Sequence, residues 1–110
     1  MANKKTILAV DDSSQSLEMI HSALGKEFSV RLAKSASLAL SALERAKADL
    51  ILLDIEMPGI TGFDTMGLLE KNPALAGIPV IFVTSRATEA FVVEAARRGA
   101  KDYIVKPYDP

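Results

Sequence analysis

Three aspartates, two hydroxyl residues and a lysine stand where short apolar runs end. Asp11 and Asp12 follow the run 7–10, Asp54 follows 50–53, Thr84 and Ser85 follow 80–83, and Lys106 and Pro107 follow 103–105. Carboxylates held close together repel each other and resist full ionisation. A hard divalent cation relieves that repulsion. Mg²⁺ does so with oxygen ligands, keeping waters or phosphate oxygens in its other positions. A carboxylate beside such an ion can attack phosphorus and form an acyl phosphate. A neighbouring Lys and Thr can hold the phosphoryl oxygens, one by charge and the other by its hydroxyl. Each residue also has a plainer role open to it. Asp11 and Asp12 can cap a helix, Asp54 can open a turn at Met57, Pro58 and Gly59, and Thr84 and Lys106 can be a strand-end hydroxyl and a surface cation. Their conjunction at the ends of four runs is what points to a site.

The elements that must position these groups are legible in the hydrophobic period. The four runs are too short for helices, and three are uninterruptedly apolar, as expected of strands buried on both faces of a parallel sheet. A fifth strand is predicted over 28–33, where Phe28, Val30 and Leu32 alternate with Ser29, Arg31 and Ala33, a pattern suited to a sheet edge. Between the strands the period becomes helical. Leu17, Ile20 and Leu24 form one stripe, with Gly25 at its stop. Ala36, Leu40, Leu43 and Ala46 form a second, behind a Ser35 or Ser37 cap. Phe63, Met66 and Leu69, with Leu68 alongside, form a third that ends at Asn72 and Pro73. Phe91, Val92, Ala95 and Ala96 form a fourth, capped by Thr88 and closed by Gly99. His21 is expected to be a partly exposed helix residue, and Met19, Met57 and Met66 packing residues. The order β-α-β-α-β-α-β-α-β implies an α/β fold with parallel strands and right-handed crossovers. In such a sheet, ligands sit beyond the carboxyl ends of the strands, where the polar residues gather.

Composition narrows the function classes. The chain has 110 residues, 49% hydrophobic and 25% charged, and that length suits one domain over 1–110. Its 13 basic and 14 acidic residues lack the basic excess that nucleic acid or an anionic membrane surface would call for. With no cysteine and a single histidine, thiolate zinc sites, Cys nucleophiles and Ser-His-Asp chemistry are not expected. No apolar run approaches the roughly 20 residues of a membrane span, and the N-terminal one is too short for a signal peptide. A cytoplasmic protein is expected.

The segments ILAVDDSS, DLILLDIEMPGITGFD, IPVIFVTSRA and GAKDYIVKP, with their mutual spacing, resemble the receiver domain of bacterial two-component response regulators, the chemotaxis-type phosphoacceptor fold. The resemblance implies a three-layer, doubly wound, flavodoxin-like fold with five parallel strands in the order 2-1-3-4-5. It implies a signalling module in which Asp54 accepts a phosphoryl group from a sensor histidine kinase or phosphotransfer protein and switches a surface read by a downstream effector. Mg²⁺ is the implied cofactor, bound directly by Asp12, Asp54 and the backbone carbonyl of Glu56, with Asp11 holding it through water. Thr84 would hydrogen-bond the phosphoryl group and Lys106 would pair with it. The N–H groups of Glu56 and Ser85 would add contacts, and Tyr103 would be the switch aromatic. The Lys106–Pro107 bond matches one usually cis. Glu56 and Arg86 match positions that tune phosphoryl lifetime.

Receivers of this type continue past the Lys-Pro pair into a fifth helix, which the sequence, ending at Pro110, does not reach. The expectation is an apolar face beside strand 5, with three explanations open: a longer protein cut or split at this point, a helix supplied by another chain, or a short receiver that covers the face with a second copy. Two other functions fit the same fold. One is an interaction module independent of phosphorylation, although the intact set Asp11, Asp12, Asp54, Thr84 and Lys106 argues for a working site. The other is a small Mg²⁺-dependent phosphatase, although Glu56 stands where such enzymes carry a second Asp and no cap domain follows. No separate substrate turnover is expected.

Overall fold

A computed structural model describes residues 4–84 and 89–105. Its elements in chain order are β1 (Thr6–Val10), α1 (Ser14–Leu24), β2 (Ser29–Ala33), α2 (Ala36–Arg45), β3 (Leu50–Asp54), α3 (Gly62–Glu70), β4 (Val80–Thr84), α4 (Glu89–Arg97) and β5 (Asp102–Val105). The sheet is ordered β2-β1-β3-β4-β5, with every pairing parallel. All strand carboxyl ends therefore lie along one rim.

The strands form where the apolar runs predict them, and the alternation of side chains divides them between two cores. On one face Leu8, Val10, Ile51, Leu53 and Phe82 pack against Ala39 and Leu43 of α2, Met66 and Leu69 of α3, and Ala95 of α4. On the other, Ile7, Ala9, Leu52 and Val83 pack against Leu17 and Ile20 of α1. Fully burying a side chain such as Leu8 or Phe82 contributes about 1.5–3 kcal/mol, so these runs carry much of the folding energy. Among the described residues, α1 alone covers the second face. Beside it lies an open groove of about 820 Å³, bounded by Met19, Ala23, Leu24, Leu52, Val83 and Ile104.

Capping fixes where the helices start. Ser13 Oγ accepts from Ser16 N–H at 3.2 Å and Ser35 Oγ from Leu38 N–H at 3.1 Å. At α3, Thr61 Oγ1 accepts from Asp64 N–H while the Asp64 carboxylate accepts from Thr61 N–H, a reciprocal pair that satisfies two otherwise orphaned donors. Arg31, on edge strand β2, donates to the carbonyls of Ala42 and Ala46 and closes the end of α2.

Several expected positions move. Asp11 and Asp12 do not cap α1; Ser13 does. Met19 is 42% exposed, because it borders the groove instead of packing beneath α1, while Met57 and Met66 are buried. Leu32 is exposed near the end of the edge strand, and Ala33, facing the α2 side, is the buried residue there. In α2, Ala39 lies inside and Ala46 lies outside the helix as its C-cap. In α3, Thr65 is buried, its hydroxyl donating to the Thr61 carbonyl at 2.9 Å, and Leu68 is exposed. In α4, Ala95 is buried but Val92 and Ala96 are exposed. Arg98, just past the helix, donates to the Phe63 carbonyl of α3 and pairs with Glu94 at 2.7 Å. The α4 cap expected at Thr88 and the Phe91 side chain lie outside the described residues.

Candidate functional site

The register of the central strands assembles the acidic group. Val10 pairs with Leu53, so Asp11 and Asp54 are the next residues on adjacent strands. Asp54 pairs with Val83, so Thr84 lies one step further along the next strand. Asp11 is 2% exposed, Asp54 4% and Thr84 0%, while Asp12 faces solvent. Carboxylate oxygens of Asp11, Asp12 and Asp54 lie within 4.8 Å of one another.

Local bonds hold these groups in place. The Asp11 N–H donates to the Ala33 carbonyl at 3.0 Å, tying the turn after β1 to β2. The Ser13 N–H donates to Asp11 Oδ1 at 2.9 Å, orienting that carboxylate. Ser13 was not among the expected site residues, although its place between the acids and the α1 stripe is a start signal for a helix. The loop after Asp54 is anchored by the buried side chains of Ile55 and Met57, with exposed Glu56 between them at the rim. The Gly62 N–H donates to the Ile55 carbonyl at 2.8 Å and brings the start of α3 against this loop. A cavity of about 290 Å³ opens beside Asp12, between Lys34 and Ser37 at the start of α2 and Pro58 and Ile60 of the loop.

The donors are all oxygen, two of the three carboxylates are withdrawn from water, and one remains at the surface. Carboxylates gathered this closely repel one another. A hard cation offsets that repulsion, and the donor set fits Mg²⁺, which takes few carboxylates and keeps open positions. The expected site residues Asp11, Asp12, Asp54 and Thr84 thus come together, with Glu56 on the adjoining loop. Ser85, Arg86, Lys106 and Pro107 lie outside the described residues; Tyr103 belongs to β5, and its ring is likewise outside them. No helix among the described residues is long and apolar enough to cross a membrane.

Comparison with known proteins agrees with this arrangement. The family model of the response regulator receiver domain matches residues 7–110. A probable cyclic di-GMP phosphodiesterase of Vibrio cholerae is 35% identical over 102 residues, covering 93% of this chain and 23% of that protein. Protein PilH of Pseudomonas aeruginosa is 36% identical, covering 94% of this chain and 86% of that one. The structure of chemotaxis protein CheY4 of Vibrio cholerae superposes with a TM-score of 0.91 at 28% identity, covering 98% of this chain and 91% of that one. The chain spans about a quarter of the phosphodiesterase and under half of further curated relatives. With the family model matched over nearly its whole length and the acidic rim formed at the strand ends, this chain belongs to the response regulator receiver domain family.

Proposed function

We propose that this chain is a phosphoacceptor switch of a two-component phosphorelay. The observation that carries this reading is the meeting of Asp11, Asp12 and Asp54 within 4.8 Å at the rim of a family-matched fold. An Asp54 carboxylate oxygen attacks the phosphorus of a phosphohistidine on a kinase or phosphotransfer partner. The new O–P bond forms as the N–P bond breaks, and the departing imidazole takes up a proton. Asp11, Asp12 and Asp54, with the Glu56 carbonyl, would hold Mg²⁺, which supplies neutralising charge to the transferring phosphoryl oxygens. Burial of Asp54 keeps bulk water from the acyl phosphate. Thr84, at the end of the neighbouring strand, would donate its hydroxyl to the phosphoryl group, as the family resemblance implies. Lys106 and Tyr103 take the roles of counter-ion and switch aromatic on the strength of the family resemblance. The added charge then biases the loop after β4 and the face beside α4, a local electrostatic event read by an effector.

The test is incubation with Mg²⁺ and acetyl phosphate, followed by intact mass. A phosphoryl adduct that Asp54→Asn abolishes is expected. No adduct on the folded protein would overturn the reading in favour of an interaction module independent of phosphorylation. Steady turnover of phosphate monoesters would instead favour a phosphatase.

A further inference from the structure

Gly62 opens α3, is buried, and lies directly against the peptide that joins Asp54 to Ile55. A Cβ at this position would overlap the Asp54 carbonyl oxygen and stand 2.8 Å from Ile55 Cα and 2.9 Å from the Asp54 carbonyl carbon. These are backbone atoms of the last residue of β3 and the one after it, which cannot swing aside as a flexible side chain can. The approach is held from the other side by the Gly62 N–H, which donates to the Ile55 carbonyl at 2.8 Å. The Thr61–Asp64 capping pair fixes the direction from which the helix arrives. Gly67, five positions along the same helix, has nothing within 4 Å of where its Cβ would be, so closeness is a property of one end of α3 only.

We propose that Gly62 is a positioning residue for the acidic pocket. By bringing no side chain, it lets the start of α3 rest on the Asp54–Ile55 peptide and sets the distance of the Asp54 carboxylate from Asp11 and Asp12. A methyl group there must displace either the helix or this peptide. Asp11 is tied separately, to Ala33 and Ser13, and does not follow such a shift. The three oxygen donors then no longer converge on one point. The proposal rests on the reading of the three aspartates as a divalent-cation pocket.

The experiment compares Mg²⁺ and Mn²⁺ affinity of the intact chain, Gly62→Ala, Gly67→Ala and Leu69→Ala by calorimetric titration, with thermal melts of each. Leu69 is buried toward the far end of α3, so its truncation loosens the helix without touching the Asp54 peptide. Gly62→Ala is expected to weaken both cations by about 10–100-fold, the range seen when a group orienting a metal ligand from behind is altered. Gly67→Ala and Leu69→Ala are expected to stay within about twofold of the parent, in line with their separation from the ligands. A folded Gly62→Ala with parental affinity, or an equal loss in Leu69→Ala, overturns the proposal. Amide exchange in the parent chain decides the matter without any variant. Mg²⁺ is expected to slow exchange at Gly62 N–H much more than at Gly67 N–H, and equal change at both overturns the positioning role. If the parent binds neither cation, the pocket reading falls and this proposal falls with it; if the parent binds and Gly62→Ala binds equally, only the positioning role falls.

Discussion

Arg98 holds Phe63 in two ways at once: its guanidinium donates to the Phe63 carbonyl at 3.2 Å and its charge lies 5.4 Å above the centre of the Phe63 ring. Phe63 in turn meets Phe82 of β4 edge to face, with ring centres 5.0 Å apart. A single side chain thus joins α4 to the first turn of α3, which follows the Asp54 loop. Arg98→Ala is expected to cost about 1–2 kcal/mol in denaturant melts, combining one buried-side hydrogen bond with a cation–π contact. It should also speed amide exchange in α4. Arg98→Lys should restore only part of the loss, since an ammonium lacks the planar fork that serves the carbonyl and the ring together.

Stability should depend on Mg²⁺ in a way that changes sign with Asp54. At a free Mg²⁺ concentration 100 times its dissociation constant, the chain should gain about 2.7 kcal/mol. In EDTA, Asp54→Asn should melt at or above the parent, because one of three mutually repelling carboxylates has been neutralised. In saturating Mg²⁺ the order should reverse. Calorimetric scans of both proteins in both buffers check this.

The Thr84 hydroxyl should matter to transfer more than to binding. Thr84→Ala should slow phosphorylation by acetyl phosphate on the order of tenfold or more, the scale of losing a donor to a transferring group. Its Mg²⁺ affinity should remain parental, and Thr84→Ser should recover most of the rate. Rapid-quench mass spectrometry gives the rates.

Neighbouring residues of α1 should respond oppositely to truncation. Met19→Ser should cost less than about 0.5 kcal/mol, since the side chain is exposed at the groove. Ile20→Ala should cost about 2–4 kcal/mol, since Ile20 is 6% exposed and sits in the core under α1. Urea titrations of the two variants read both values.

Glu56 and Arg86 carry opposite charges and match family positions that tune phosphoryl lifetime, so their pairing would restrict the water that attacks the acyl phosphate. Replacing both with alanine should shorten the lifetime of the phosphoryl adduct, followed by loss of the mass shift over time. An unchanged lifetime would remove them from that role.

The strands and the acidic rim were legible because both depend on local order. Four apolar runs, each ending in a polar residue, need only parallel pairing to bring Asp11, Asp12, Asp54 and Thr84 to one edge. What the pattern could not supply was set by contacts between segments remote in sequence. The rotation of α4, which leaves Val92 and Ala96 outside, is set by Ala95 packing into the core beneath it, a contact with residues remote in sequence. The exposure of Met19 and Leu32 depends on which helices cover which part of a face; strand alternation puts Leu32 inward, and the apolar character of Met19 suggests packing, but neither shows what lies over them. Ser13 escaped notice because the adjacent acids offered a simpler cap. Gly62 did so because close approach to a strand leaves no mark in hydrophobic periodicity.

The long-range pairing of β1 with β3 has a kinetic side. The Thr6 N–H donates to Asp49 Oδ2 across 43 positions at the edge of that pairing, and Asp11 meets Asp54 only when the same closure is complete. An unfolded chain therefore holds its three aspartates no closer than any random polymer would. On the proposed reading, cation capture would come after the chain has closed this loop, so Mg²⁺ would act on the finished structure alone. It should lengthen the lifetime of the folded chain and leave the rate at which that chain is first formed almost unchanged.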